Sequence, residues 1–108
     1  MEIDINEFGR IDIRIGTILS AEEIPGADKL LKLSVDTGDE NPRTLVAGIK
    51  QMYSIEELVG HQVVVLCNLK PAVLRGVKSE GMVLAADSEF GPVLLVPDKA
   101  VNTGTKIR

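Results

Sequence analysis

Residues 68–86 read N-L-K-P-A-V-L-R-G-V-K-S-E-G-M-V-L-A-A. The stretch begins at the polar end of the apolar run 63–67 and closes in a second apolar run, 82–86. Between the two runs the chain carries one proline, two glycines and three cations against a single acid. This pattern predicts two strands joined by a basic, glycine-containing loop over residues 70–81. On charge alone, a solvated hairpin loop and a ligand-binding loop are equally good interpretations.

The composition indicates a single small domain. A chain of 108 residues can bury roughly two-thirds of its unfolded surface without disulfide or metal support. Its hydrophobic content of 44% excludes a disordered chain, and no apolar run approaches the roughly 20 residues that span a bilayer. The acidic start lacks the basic region of a signal peptide, and the single Cys67 suits a reducing compartment. We therefore expect a cytoplasmic protein that does not associate with membranes.

Alternating apolar residues predict strands on both sides of this stretch. At Gly16 the alternation of the first strand slips, which predicts a bulge or bend there. Residues 6–8 are expected to form a short turn that tucks Phe8 into the core. The predicted strands are residues 11 to about 24, 31–35, 43–47, 63–67, 82–86 and a small sixth one, 93–96.

One helix is expected between the third and fourth strands. Ser54 and Glu57 have the spacing of a capping box, Leu58 supplies an inward residue, and Gly60 ends the helix. Three strands, a helix and two strands, with a bent first strand, match an all-β fold, the five-stranded OB barrel. The prediction is one domain over residues 1–108, with the short helix between strands 3 and 4 and a short C-terminal extension.

The residues that usually carry catalysis or metal binding are missing. One histidine and one cysteine cannot close a metal site, and no nucleophile, base and orienting group can be assembled. Gly76 and Gly81 have the spacing of a phosphate loop, but Met82 and a strand follow instead of lysine and a helix. We therefore expect a binding protein rather than an enzyme, with no cofactor and no metal. Only three aromatic residues are present, which disfavours a binder of single-stranded DNA.

Residues 68–71 (N-L-K-P), 75–82 (R-G-V-K-S-E-G-M) and 84–86 (L-A-A) resemble the signature of the tRNA-binding domain family. That family includes the C-terminal domain of methionyl-tRNA synthetase, free-standing structure-specific tRNA-binding proteins and the domain of endothelial monocyte-activating polypeptide. Further matching segments, in order, are residues 8–16, 27–30, 43–48, 53–60 and 97–99. The resemblance implies an OB barrel, usually dimeric, that docks on folded tRNA largely without regard to sequence. Family members often carry cations where this chain has Ala72 and Val73, so the resemblance leaves the affinity open.

The resemblance also implies a set of tRNA-binding residues. Lys70, Arg75 and Lys78 are expected to meet phosphates, while Asn68 and Ser79 donate hydrogen bonds to phosphate or sugar oxygens. Met82 either packs on a nucleotide or belongs to the core. Four further cations are secondary candidates, and the sequence does not determine which way their side chains point: Arg14, Lys32, Arg43 and Lys50.

Two functions remain open at this point. The first is a tRNA-binding module that assists methionyl-tRNA synthetase, either as its C-terminal domain or as a detached subunit beside the catalytic subunit. The second is a dimeric, secretion-associated chaperone that binds unfolded polypeptides, since a related branch of the family acts in that way. A homodimer is expected in either case, from the resemblance and from the apolar residues 93–96, Val101 and Ile107.

Overall fold

A computed structural model describes residues 1–108, and most of its regular structure is strand. The elements in chain order are α1 (Ile5–Phe8), β1 (Ile13–Glu23), β2 (Leu31–Asp36), β3 (Arg43–Ala47), α2 (Ile55–Leu58), β4 (Gln62–Leu66), β5 (Ala72–Leu74), β6 (Val77–Ser79), β7 (Met82–Val83), β8 (Ala85–Ser88) and β9 (Gly91–Leu94). Each helix has four residues, so neither is long enough to cross a membrane.

Five strands form one antiparallel sheet in the order β3-β2-β1-β4-β7. The long strand β1 is shared, because its first half pairs with β4 and its second half with β2. The two ends of the sheet approach each other where the Glu80 N–H, just before β7, donates to the Thr44 carbonyl of β3 at 2.8 Å. The sheet therefore closes into a five-stranded barrel, which confirms the predicted OB architecture.

The core follows from the period-two pattern of the central strands. Leu31, Leu33 and Val35 of β2 point inward, and none of them is more than 1% exposed. Val63 and Val65 of β4 meet them from the neighbouring part of the barrel. Because alternate side chains face opposite sides of a strand, this burial leaves the outer face of β2 to polar residues.

Helix α2 closes one side of this core. The Ser54 hydroxyl accepts the Glu57 N–H at 3.3 Å, and the Glu57 carboxylate accepts the Ser54 N–H at 3.1 Å. The predicted capping box is therefore present, and it fixes a helix too short to persist by itself. Its one buried residue, Leu58, is fully enclosed by the barrel core.

Gly16 does not form the predicted bulge. The pairing of β1 with β2 shifts register between Ile18 and Ser20 instead. Gly16 is buried, and a Cβ there would lie 2.6 Å from Cγ1 of Val35. Glycine is required at this position by the close packing of β2 against β1, and not by a kink in the strand.

The predicted fifth strand is split in two. Residues 82–83 remain in the barrel as β7, whereas Ala85–Ser88 turns away as β8 and pairs with β9. Leu84 marks the division, since its N–H donates to the Val64 carbonyl and its carbonyl accepts the Leu95 N–H. The predicted sixth strand, 93–96, consequently lies earlier in the chain, at Gly91–Leu94.

The two ends of the chain pack on the outside of the barrel. Phe8 is half-buried beside Ile107 and does not enter the core, contrary to the prediction, because α1 buries none of its residues. Residues 103–107, here called the terminal strap, run along the part of β1 that β2 leaves open. The Ile15 N–H donates to the Thr105 carbonyl at 2.8 Å, and the Ile107 N–H donates to the Ile13 carbonyl at 2.8 Å.

Candidate nucleic-acid interface

The basic stretch predicted as a loop is a short hairpin. Strands β5 and β6 pair from Ala72 with Ser79 to Leu74 with Val77. The turn between them has two residues, Arg75 and Gly76, with φ values of 51° and 79°. Two positive φ values in a two-residue connection are typical of a type I′ turn. An arginine in this conformation costs on the order of 1 kcal/mol relative to glycine, so the hairpin holds its tip cation in a strained position.

The hairpin docks on the barrel through β6. The Ser79 hydroxyl is buried; it accepts the Val46 N–H at 3.0 Å and donates to the Gly81 carbonyl at 3.0 Å. Val77 packs against a small apolar cluster that includes Ile24 and Val46. Strand β5 lies on the other side of the hairpin and is exposed along its whole length.

Residues 68–79 are here called the hairpin segment. Its three cations are free of acidic partners. Lys70, Arg75 and Lys78 are all exposed, and no carboxylate lies within 4 Å of any of their nitrogens. The hairpin therefore presents uncompensated positive charge on a protein whose net charge is −4. A field of this kind attracts a polyanion locally although the average field repels it.

A cleft of about 320 Å³ separates the hairpin tip from the turn between β1 and β2. Arg75 lines one side, and residues 26–30 line the other, with Lys29 and the acid Asp28 among them. The backbone N–H groups of Asp28 and Lys29 make no hydrogen bond within the protein. The cleft thus has two cations, Lys29 and Arg75, and one acid, Asp28, among its lining residues.

Lys29 is a functional candidate that the sequence analysis missed. It lies in one of the segments that match the family, but nothing in the local pattern assigns it a role. The OB architecture assigns Lys29 a role, because the loop after the first strand and the loop between the last two strands both serve ligand binding in that fold. Lys29 and Arg75 come from those two loops and line the same cleft.

Asn68, at the base of the hairpin, serves mainly as an anchor. Its Oδ1 accepts the Asp12 N–H at 2.8 Å, and its Nδ2 donates to the Arg10 carbonyl at 2.6 Å. One amide N–H of Asn68 therefore remains free for a ligand. Ser79, by contrast, is not brought to the surface, because its hydroxyl is enclosed and already used as donor and acceptor. We accordingly remove Ser79 from the set of expected contacts.

Met82 follows the hairpin on β7 and is 42% exposed. Of the two alternatives for this residue, the structure thus favours an accessible side chain over a core position. Its neighbour Val83 is half-buried and packs on the core instead.

Two of the four secondary cations lie at the far end of β1. Lys32 forms an ion pair with Glu22 at 3.3 Å, and Lys50 one with Glu23 at 2.6 Å. The hydrogen bond from Lys50 lowers the pKa of Glu23. Because each charge is matched by an exposed carboxylate, these lysines contribute little net attraction for phosphate.

The other two secondary cations share one carboxylate. Arg14 pairs with Asp12 and with Asp39, each at 2.8 Å, and Arg43 pairs with Asp39 at 3.2 Å. The hydrogen bond from Arg14 is the main cause that lowers the pKa of Asp39 to about 2. The same arginine lowers the pKa of Asp12, and both carboxylates raise the pKa of Arg14. These arginines are thus committed to a charge cluster and are not displayed to solvent as the hairpin cations are.

No cluster of three or more histidine, cysteine, aspartate or glutamate side chains is arranged to hold a metal. Burial raises the pKa of the Cys67 thiol, which keeps it protonated and unreactive at neutral pH.

The OB barrel is an architecture shared by many modules that bind oligonucleotides or oligosaccharides, and the basic hairpin lies in the loop that commonly serves ligand binding in that fold. The family described as "Putative tRNA binding domain" matches residues 13–106. The chain belongs to this tRNA-binding domain family, which confirms the resemblance found in the sequence.

Similar proteins fall into two groups. The chain is 54% identical over 108 residues to a methionine–tRNA ligase of Methanocaldococcus jannaschii, covering 99% of this chain and 16% of the ligase. A MetRS-related protein from Pyrococcus horikoshii superimposes with a TM-score of 0.89 at 37% identity, and each chain is covered completely. The chaperone CsaA from Bacillus anthracis superimposes with a TM-score of 0.88 at 34% identity, again over the whole of both chains. The chain thus spans about one-sixth of the ligase but the full length of the two solved structures.

Proposed function

We propose that residues 1–108 act as one binding domain for folded tRNA, with the β5–β6 hairpin and the adjacent cleft as the contact surface. The observation that carries the proposal is the set of unpaired cations on this hairpin in an otherwise acidic protein. Phosphate contacts fix the position of a protein on nucleic acid but carry little sequence information. Folded RNA is recognised through shape, phosphates and 2′-hydroxyl groups, which suits such a surface.

The proposed contacts divide by chemistry. Lys29, Lys70, Arg75 and Lys78 meet phosphate oxygens, since all four are exposed and none has a carboxylate partner. The free amide N–H of Asn68 donates to a phosphate or sugar oxygen. Met82 packs its exposed thioether on a ribose or base. Lys32 and Lys50 add only to the long-range field.

A competition titration tests this proposal. Folded tRNA should displace a labelled tRNA at lower concentration than single-stranded DNA of the same length and at the same salt. The reason is that the hairpin and cleft offer cations and hydrogen-bond donors but no aromatic ring for base stacking. Equal affinity for the two competitors would refute recognition of folded RNA.

The proposed biological role is to raise the affinity of a methionyl-tRNA synthetase for tRNA in the cytoplasm. The similarity to part of the M. jannaschii ligase supports this role. Adding the protein to a synthetase catalytic subunit should lower the KM for tRNA and leave the KM for methionine unchanged. A KM for tRNA that does not respond would contradict the assignment of this partner.

A homodimer is proposed as the working form. Several large apolar side chains are exposed around β7 to β9, including Phe90 at 81%, Met82, Val93, Leu95 and Val96. Apolar surface of this extent is typical of an interface, and obligate dimers bury upwards of about 2,000 Å² in total. Sedimentation equilibrium at micromolar concentration should give twice the chain mass of 11.6 kDa, and Val93→Asp should give the chain mass. A wild-type protein that sediments only as a monomer would exclude the dimer.

The second candidate function is a dimeric chaperone that binds unfolded polypeptides on apolar side chains outside the proposed dimer interface, such as Leu19, Val59 and Val73. The likeness to the B. anthracis protein points in this direction. Suppression of the aggregation of a denatured client, measured beside tRNA binding, separates the two functions. Suppression of aggregation that is unchanged in Arg75→Asn, in a wild-type protein that binds no tRNA, would assign the protein to the chaperone function.

A further inference from the structure

Arg43 bridges the two ends of the hairpin segment. Its Nη1 donates to the Cys67 carbonyl at 2.9 Å and to the Glu80 carbonyl at 3.0 Å. Cys67 is the residue before the segment begins, and Glu80 is the residue after β6 ends. One nitrogen of one side chain therefore ties together the points where the chain enters and leaves the hairpin.

The guanidinium of Arg43 is itself held in a fixed orientation. Its Nε donates to the Thr37 hydroxyl at 3.1 Å and to the Asp39 carboxylate at 3.2 Å. Its Nη2 lies 3.2 Å from the same carboxylate. A planar fork with several fixed donors can bridge two carbonyls in a way that a single ammonium group cannot.

We infer that Arg43 is a positioning residue for the tRNA-binding hairpin and not one of its phosphate contacts. Asp39 balances its charge, and its N–H groups point to protein acceptors rather than to solvent. The entry side of the hairpin is also anchored by Asn68, and the exit side by hydrogen bonds between Glu80 and Thr44. Arg43 bonds both sides at once and so fixes their position relative to each other. The expected effect on tRNA binding rests on the proposed function. The Arg43 bridge between Cys67 and Glu80, here called the clamp, can be measured without tRNA.

Arg14 provides a matched control for Arg43. The two side chains are 25% and 24% exposed, and both pair with Asp39. Arg14 contacts Asp12 and the Thr37 carbonyl but neither end of the hairpin. Arg14→Gln therefore removes the same charge from the same cluster and breaks no direct hydrogen bond to Cys67 or Glu80.

The experiment compares Arg43→Gln, Arg43→Lys and Arg14→Gln in the full chain. Amide hydrogen exchange, followed by NMR without tRNA, is measured for residues 72–80 and for strands β1 and β2 of each variant. Because the β1 and β2 amides report global stability, faster exchange confined to residues 72–80 reports local loosening of the hairpin. Binding of tRNA is then titrated over a range of salt concentrations.

Both Arg43 variants should exchange residues 72–80 about tenfold faster relative to β1 and β2, whereas Arg14→Gln should not, because Arg43 bonds both Cys67 and Glu80 and Arg14 bonds neither. Their affinity for tRNA should fall by about the same factor, with the slope of log K against log salt unchanged. A slope reduced by about 0.7 to 0.9 in Arg43→Gln but not in Arg43→Lys would overturn the inference, since it would mark Arg43 as a phosphate contact. Equal exchange ratios in all three variants would overturn it as well. A wild-type protein that binds no tRNA would refute the proposed function, and the exchange ratios would still decide whether the clamp exists.

Discussion

Removing single cations from the candidate interface should flatten the salt dependence of tRNA binding. The informative variants are Lys29→Ala, Arg75→Asn and Lys78→Ala. Asparagine is chosen at position 75 because it tolerates the positive φ of 51° that the turn requires, while it carries no charge. Lys99→Ala removes an equal charge from the exposed C-terminal segment and serves as the matched control.

The size of the effect follows from the number of free cations. Four of them, Lys29, Lys70, Arg75 and Lys78, give a log–log slope of about −2.8 to −3.6, at roughly 0.7 to 0.9 per phosphate contact. Raising the salt from about 50 to about 200 mM should then weaken binding by the wild type roughly 50- to 150-fold. A variant with one contact fewer should weaken only roughly 20- to 40-fold over the same range.

Fluorescence anisotropy with labelled tRNA at four or five salt concentrations measures the slope directly. Thermal melts run alongside, and all variants should melt within about 4 °C of the wild type, because exposed substitutions change stability by about 0.5 kcal/mol or less. Affinity for different tRNAs should fall alike, since no base edge is read. If the three interface variants are folded and retain the wild-type slope, the hairpin and cleft do not form the binding site.

Three further outcomes are expected. Val73→Lys places a cation opposite Lys78 on the hairpin and should steepen the same slope by about 0.7 to 0.9; an unchanged slope would mean that this face of the hairpin points away from the RNA. Gly16→Ala should destabilise the fold by about 1–3 kcal/mol in urea titrations, because the new Cβ would overlap Val35, and a wild-type midpoint would contradict the packing described here. The pKa of Asp39 is about 2 in the folded protein and 3.8 ordinarily, so its stabilising effect is present above about pH 4 and is lost as the pH falls towards 2. Asp39→Asn should therefore have a lower melting temperature than the wild type at neutral pH, and its melting temperature should fall less between pH 4 and pH 2. If the melting temperatures of the two proteins change in parallel with pH, the ionised Asp39 does not stabilise the fold.

The barrel could be predicted where one face of a strand is buried. The Leu31–Asp36 strand was predicted to within one residue, because its alternation specifies which residues face the core. Arg43–Ala47 was predicted with its observed bounds, although its last three residues are all buried and do not alternate. The split of the fifth strand could not be predicted in this way. It depends on Leu84 bonding Val64 on one side and Leu95 on the other, and such contacts leave no pattern in the local sequence.

The candidate site could be predicted only in part, again because contacts between distant residues leave no pattern in the local sequence. The charge of Lys70, Arg75 and Lys78 is visible in the sequence, and the structure shows that these cations are free of acidic partners. Whether a given arginine is free or paired can depend on residues distant in the chain, as with Arg14 and its ion pair with Asp39. The hydroxyl of Ser79 was misassigned for the same reason, since a serine has no pattern that separates a buried bond from a solvent-facing one.

The terminal strap also determines how the protein behaves in concentrated solution. A strand with an unpaired edge presents a row of amide and carbonyl groups that another chain can extend. In this barrel the exposed row would belong to β1, an isoleucine-rich strand, and the strap covers it through hydrogen bonds to Ile13 and Ile15. A chain shortened at residue 102 would therefore have an open template for edge-to-edge association, and we expect it to aggregate at concentrations at which the full chain stays in solution.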